Sequence, residues 1–120
     1  MTENPMHLTF DEYQRKAKTT AIYPEAGTGS PLALAYVTLG LAGEAGEVAN
    51  KVKKILRDSG GVVTEEVANA ISNEAQDVQW YLAQLATELK RSLALVAQAN
   101  LDKLASRQER GVLQGSGDDR

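Results

Sequence analysis

Apolar residues recur at three- and four-residue intervals along most of this chain, the periodicity of amphipathic helices. Leu34, Val37, Leu41, Val48, Val52 and Ile55 form one stripe. After a Gly-containing break, Val67, Ile71, Val78, Leu82, Leu85 and Leu89 form a second. Start and stop signals set the bounds. Thr9-Phe10-Asp11-Glu12 is a capping box that opens a short helix ending near Lys18. The Pro and Gly content of the run from Tyr23 to Ser30 marks a loop, read as a connector or as a lid. Ser30 and Pro31 open a second helix to about Arg57, roughly 40 Å long. Asp58-Ser59-Gly60-Gly61 ends it, and Thr64 caps a third, with Glu65 and Glu66 in its first turn where the helix dipole favours acids. Lys90-Arg91-Ser92 is a turn, and Ser92 caps a last helix to about Ser106 that carries Leu93, Val96, Asn100 and Leu104 on one side. Residues 1–8 and 108–120 are expected to be irregular. The fold class is therefore all-α: a bundle of about four helices in a single domain spanning 1–120.

Each long stripe is interrupted once, by a glutamate. Glu44 lies between Leu41 and Val48, and Glu74 between Ile71 and Val78. A second acid follows three residues later in both, Glu47 and Asp77, so each helix presents two carboxylates on one face. A lone E-x-x-E is usually solvated surface, because acids are rarely buried. Two such pairs, both in register with the apolar stripe, favour a site. The short connection makes the long helices antiparallel, which brings the pairs to equal heights within about a turn. Converging carboxylates raise one another's pKa and require positive charge; a hard divalent cation such as Mg²⁺ takes oxygen ligands of this kind.

Other residues can be read two ways. Gly40, Gly43 and Gly46 suit a tight helix crossing or the close approach of a ligand. Lys51, Lys53, Lys54 and Arg57 oppose a helix C-terminal dipole, yet Lys51 and Lys54 also share the Glu47 face and are placed to meet a phosphate. Tyr81, four residues after Asp77, is a core tyrosine or a ligand contact. Asn100, with Lys103 beside it, is a satisfied polar core residue or a reader of a base or sugar.

Composition narrows the classes. At 120 residues the chain fits one domain; few aromatics and abundant Ala and Leu suit helices. A net charge of -3 argues against a nucleic-acid coat or an anionic-membrane binder. Absence of cysteine excludes disulfides, thiolate zinc sites and a cysteine nucleophile. No signal-like run opens the chain, and no segment reads as apolar enough to span a bilayer, so a cytoplasmic location is expected.

The runs Leu39-Gly40-Leu41-Ala42-Gly43-Glu44-Ala45-Gly46-Glu47-Val48 and Glu74-Ala75-Gln76-Asp77-Val78-Gln79-Trp80-Tyr81-Leu82 resemble the MazG-like nucleotide pyrophosphohydrolases, all-α enzymes marked by E-x-x-E and then E-x-x-D. The likeness extends to Thr20-Ala21-Ile22-Tyr23-Pro24 and to Asn100-Leu101-Asp102-Lys103-Leu104 with Arg107. Members with E-E-x-x-E carry an extra acid where this chain has Gly43, so that ligand is not carried over. The resemblance implies Mg²⁺-dependent hydrolysis of a nucleoside triphosphate to monophosphate and pyrophosphate, with Mn²⁺ as a substitute ion. By position Glu44, Glu47, Glu74 and Asp77 would hold metal, Glu47 would help deprotonate the attacking water, and Tyr81, Asn100 and Lys103 would contact substrate. Lys54 joins them as a phosphate contact on face geometry. The implied partners are the nucleotide and further copies of the chain, as a homodimer or homotetramer, with no nucleic-acid polymer and no membrane. A deoxyuridine-nucleotide hydrolase of the related dimeric type and a non-catalytic helical nucleotide sensor or scaffold are the rival readings.

Overall fold

The computed structural model describes residues 7–120; the expectation of an irregular N-terminus falls, for residues 1–6, outside them. Four helices follow in order: α1 Phe10–Lys18, α2 Pro31–Asp58, α3 Glu65–Glu88 and α4 Leu93–Glu109. There is no strand among the described residues, and the all-α expectation holds. Each helix starts at the cap the sequence marks. Thr9 Oγ1 accepts from the Glu12 N–H at 3.0 Å, Ser30 Oγ from Ala33 at 3.1 Å, Thr64 Oγ1 from Val67 at 3.2 Å and Ser92 Oγ from Leu95 at 3.2 Å. Each bond satisfies an N–H that the helix itself leaves without a partner. Helix α4 runs to Glu109, past the expected end near Ser106. Beyond it the chain folds back: the buried Arg107 donates to the Asp118 carbonyl at 3.0 Å, and Arg120 donates to those of Val112, Gly117 and Leu113.

Helix α2 packs along α3, α1 packs on α3 and α4, and α4 makes no contact with α2 among the described residues. Gln14 ties the second group together. Its amide N–H donates to Thr87 Oγ1 at 3.1 Å and to the Arg91 carbonyl at 2.9 Å, and its Oε1 accepts from the Leu93 N–H at 2.7 Å. The core is small and split. One part gathers Ala17, Ala83, Ala86 and Leu93, the other Tyr23, Ala33 and Val37; Trp80 packs against both. Alanine at these points lets the helices approach closely but buries little area per residue.

Two sequence expectations change. Val52, Leu82 and Leu89, placed in the buried stripes, are exposed. The buried positions of α3 are Ala83, Gln84, Ala86 and Glu88, all in its second half, while a column of Glu74, Asp77, Tyr81, Gln84 and Glu88, spaced by alternating threes and fours, runs beside the half-buried Ile71, Val78 and Leu85 of the expected stripe. Glu74 meets Glu44 and Lys51 across the α2 seam and Tyr81 lies beside Tyr36, whereas Glu88 is held by the loop before α2 and neither amide atom of Gln84 has a hydrogen-bond partner among the described residues. The statement that no segment is apolar enough to span a bilayer also fails. Helix α2 is long and apolar enough by length and composition, with a mean hydropathy of 1.2 over its apolar window. Ala and Gly raise that average, while the same helix bears Glu44 and Glu47 and lies against α3.

Candidate metal centre

Glu44 enters the seam from α2, and Glu74 and Asp77 enter from α3, one turn apart on the antiparallel neighbour. One carboxylate oxygen from each lies within 4.8 Å of the others. Glu44 and Glu74 are half-buried and Asp77 is exposed. Burial pushes the Glu44 carboxyl above its ordinary value, and a hydrogen bond with Glu74 and the charges of Asp77, Glu74 and Glu47 push it the same way. The group is thus short of positive charge. Lys51 supplies part, its Nζ standing 3.7 Å from Glu74 Oε1. An all-oxygen donor set under mutual repulsion fits a hard divalent cation such as Mg²⁺ or Mn²⁺.

Glu47 stands apart from these three. It is exposed, one turn further along α2, and is felt by Glu44 as charge rather than through a shared oxygen cage. Tyr81 sits at the other end, its hydroxyl near Tyr36 and its ring edge-on to Trp80 at 5.0 Å. Burial foremost, then Tyr36, Glu44 and Asp77, hold the Tyr81 hydroxyl protonated above its usual range. The glycines divide between their two readings. Gly40 serves the crossing, since a Cβ there would lie 2.1 Å from the Tyr81 ring. At Gly43 and Gly46 an added Cβ would meet nothing within 4 Å.

The remaining substrate candidates line two clefts outside the acid group. Lys54 lines one of about 230 Å³ towards the α2–α3 turn, with Asp58, Ile71 and also Lys51, which links that cleft to Glu74. Asn100 and Lys103 line a separate cleft of about 670 Å³ between α3 and α4, mostly apolar, with Leu82, Leu85 and Val96. None of the acids lines it. The sequence reading missed Tyr36, Tyr23 and Glu88. Two spacings carried a signal: Tyr36 precedes Gly40 and Glu44 by four and eight residues, and Glu88 continues the column from Glu74 through Tyr81.

A family model described as the MazG nucleotide pyrophosphohydrolase domain matches residues 34–112. The chain is also similar to the gene 37 protein of Mycobacterium phage L5, with 57% identity over 116 residues, covering 96% of this chain and 100% of that protein. No solved structure matches it.

Proposed function

The chain belongs to the MazG nucleotide pyrophosphohydrolase family, and we propose that it hydrolyses a nucleoside triphosphate to monophosphate and pyrophosphate with Mg²⁺, or Mn²⁺ in its place. The observation that carries this reading is the convergence of Glu44, Glu74 and Asp77 from two antiparallel helices to within 4.8 Å. These three would hold the ion. A bound divalent cation neutralises phosphate oxygens and acidifies water for in-line attack on phosphorus. Glu47, exposed beside the three, is free to accept the proton from the attacking water. Lys51 moves from Glu74 towards incoming phosphate oxygens, and Tyr81 offers its protonated hydroxyl as a donor. Lys54, further along α2, stands ready for an outlying phosphate.

Further copies of the chain complete the domain in this reading. Leu39 is 73% exposed, and Leu56, Leu95 and Leu101 are similarly open. The radius of gyration is 17.2 Å, against about 14 Å for a compact domain of this length. A homodimer or homotetramer covers that apolar surface, and Asn100 and Lys103, on a helix that leaves α2 untouched, contribute to substrate at such an interface. The setting is the cytoplasm, where the substrate class resides. Incubation with each common ribo- and deoxyribonucleoside triphosphate and Mg²⁺, assayed for pyrophosphate, tests the proposal. Release from at least one nucleotide supports it. No release from any leaves a sensor or scaffold, and release from deoxyuridine triphosphate alone assigns the dimeric deoxyuridine-nucleotide type.

A further inference from the structure

Glu88, in the last turn of α3, is 4% exposed. A carboxylate so placed is costly unless hydrogen bonds replace its water. Here three donors do so, all from the loop before α2. The Tyr23 hydroxyl and the Gly27 N–H (2.7 Å) donate to Oε2, and the Gly29 N–H (2.9 Å) donates to Oε1. The loop is shaped for this. Gly27 and Gly29 have φ of 82° and 71°, and a Cβ on Gly29 would lie 2.9 Å from the Glu88 carbonyl oxygen. A loop pinned at three points is a wall rather than a lid. Starting α2 does not require it, because Ser30 and Pro31 already do so.

What the wall holds is an aromatic series leading to the acids. The buried Tyr23 ring stacks on Tyr36 with centroids 4.9 Å apart and planes 14° from parallel. Trp80 meets Tyr23 edge-on at 6.3 Å. Tyr36 is 42% exposed and lies beside Tyr81, whose hydroxyl it helps to keep protonated. Tyr36, Gly40 and Glu44 succeed one another at four-residue steps, so Tyr36 stands about 12 Å along the axis from Glu44. Phosphates drawn to the acids would leave the nucleoside end of a substrate in reach of this ring. An aromatic face stacks on a base, and phenol hydroxyls bond to a sugar.

We propose that Tyr36 is the nucleoside-contacting wall of the site, and that Glu88 is a positioning residue that seats Tyr36 through Tyr23. This rests on the substrate class proposed above. The test is calorimetric titration of the full chain, with Mg²⁺, using two kinds of probe: the α,β-imido analogues of the four deoxynucleoside triphosphates, and inorganic tripolyphosphate, which has no nucleoside. Tyr36→Ala should weaken the tightest-binding analogue about tenfold and change tripolyphosphate binding less than about twofold, while Tyr36→Phe recovers most of the loss. Glu88→Gln and Tyr23→Phe should show the same selective loss in smaller measure. If Glu88→Gln does not fold, judged by circular dichroism, Tyr23→Phe reads the latch by itself. Equal weakening of both probes by Tyr36→Ala, no change in either, or a wild-type chain that binds no analogue overturns the wall. Wild-type affinity in both latch variants overturns the role of Glu88. Selective binding without pyrophosphate release would sink the hydrolase proposal and leave this one standing.

Discussion

The Tyr81 ring lies so close over Gly40 that a Cβ on residue 40 would sit 2.1 Å from its Cε1 atom. Two opposing effects meet there. Alanine in a helix interior is worth about 1 kcal/mol more than glycine, whereas overpacking a tight contact costs about 1–3 kcal/mol. Steric cost wins, because the displaced group is a ring packed edge-on against Trp80 and not the end of a flexible chain. Gly40→Ala is expected to lower stability by about 1–2 kcal/mol in urea unfolding and to reduce turnover by moving Tyr81. A gain in stability would show that the ring yields freely.

Glu74→Gln separates the stability of the acid group from its work. Glu74 is half-buried, lies beside Glu44 and faces Lys51. Removing its charge relieves repulsion on Glu44, so the helical fold should persist and the melting temperature without metal should hold or rise slightly. Wild-type melting should climb with millimolar Mg²⁺, because a ligand bound only by the folded state stabilises it. In the variant that climb should vanish and turnover should fall about 100-fold or more. Undiminished activity would show that the acids are misassigned.

The sequence carried the helices because the start signals are local. Thr9, Ser30, Thr64 and Ser92 each bond an N–H three residues on, a choice made within one turn of chain. The acid pairs were legible for a related reason, since a charged residue in an apolar stripe violates a strong rule. The burial near the end of α3 was not legible. Leu82 and Leu89 read as core, yet Gln84 and Glu88 take the buried positions, because what makes Glu88 tolerable there lies about sixty residues earlier, in Tyr23, Gly27 and Gly29. Pairing across that separation depends on how the loop crosses the end of α3, which periodicity does not encode. Asn100 and Lys103 mark a second boundary: one chain places them in a cleft the acids do not line.

Glu88 gives the fold a pH dependence of known sign. Burial would raise its carboxyl, but the Tyr23 hydroxyl, the Gly27 and Gly29 N–H groups and the charge of Lys18 together outweigh burial and hold it below its ordinary value of 4.5. The unfolded chain therefore binds this proton more readily than the folded one. Its stabilisation is complete above about pH 4.5 and is lost as pH falls through the lower, folded value. Glu44 acts oppositely: its raised value makes its share decline as pH rises above 4.5. Comparing wild type with Glu88→Gln isolates the first effect. Urea midpoints measured from about pH 6 to pH 3 should differ most at the upper end and draw together as pH falls below about 4.5. A constant gap across that range would mean that the carboxylate is not what the loop grips.

Gly43 adjoins Glu44 on the open side of α2 and Gly46 lies on the far side of the helix from it, and at both an added Cβ meets nothing within 4 Å. On the isolated chain each glycine is a defect, costing about 0.5–1 kcal/mol of helix stability relative to alanine. Gly43→Ala should therefore stabilise the fold by about that amount, a rise readable by thermal or urea unfolding. Were the glycines mere tolerance, activity would be untouched. The bare backbone at Gly43, next to the converging carboxylates, is suited to letting phosphates approach, and a methyl group at residue 43 intrudes on that approach. The expected outcome is a more stable protein with a raised KM for the triphosphate and a kcat close to wild type, since the acids themselves stay in place. If stability rises and KM does not, the space over Gly43 belongs to a neighbouring copy or to solvent, and sedimentation of the variant at matched concentration tells those two apart.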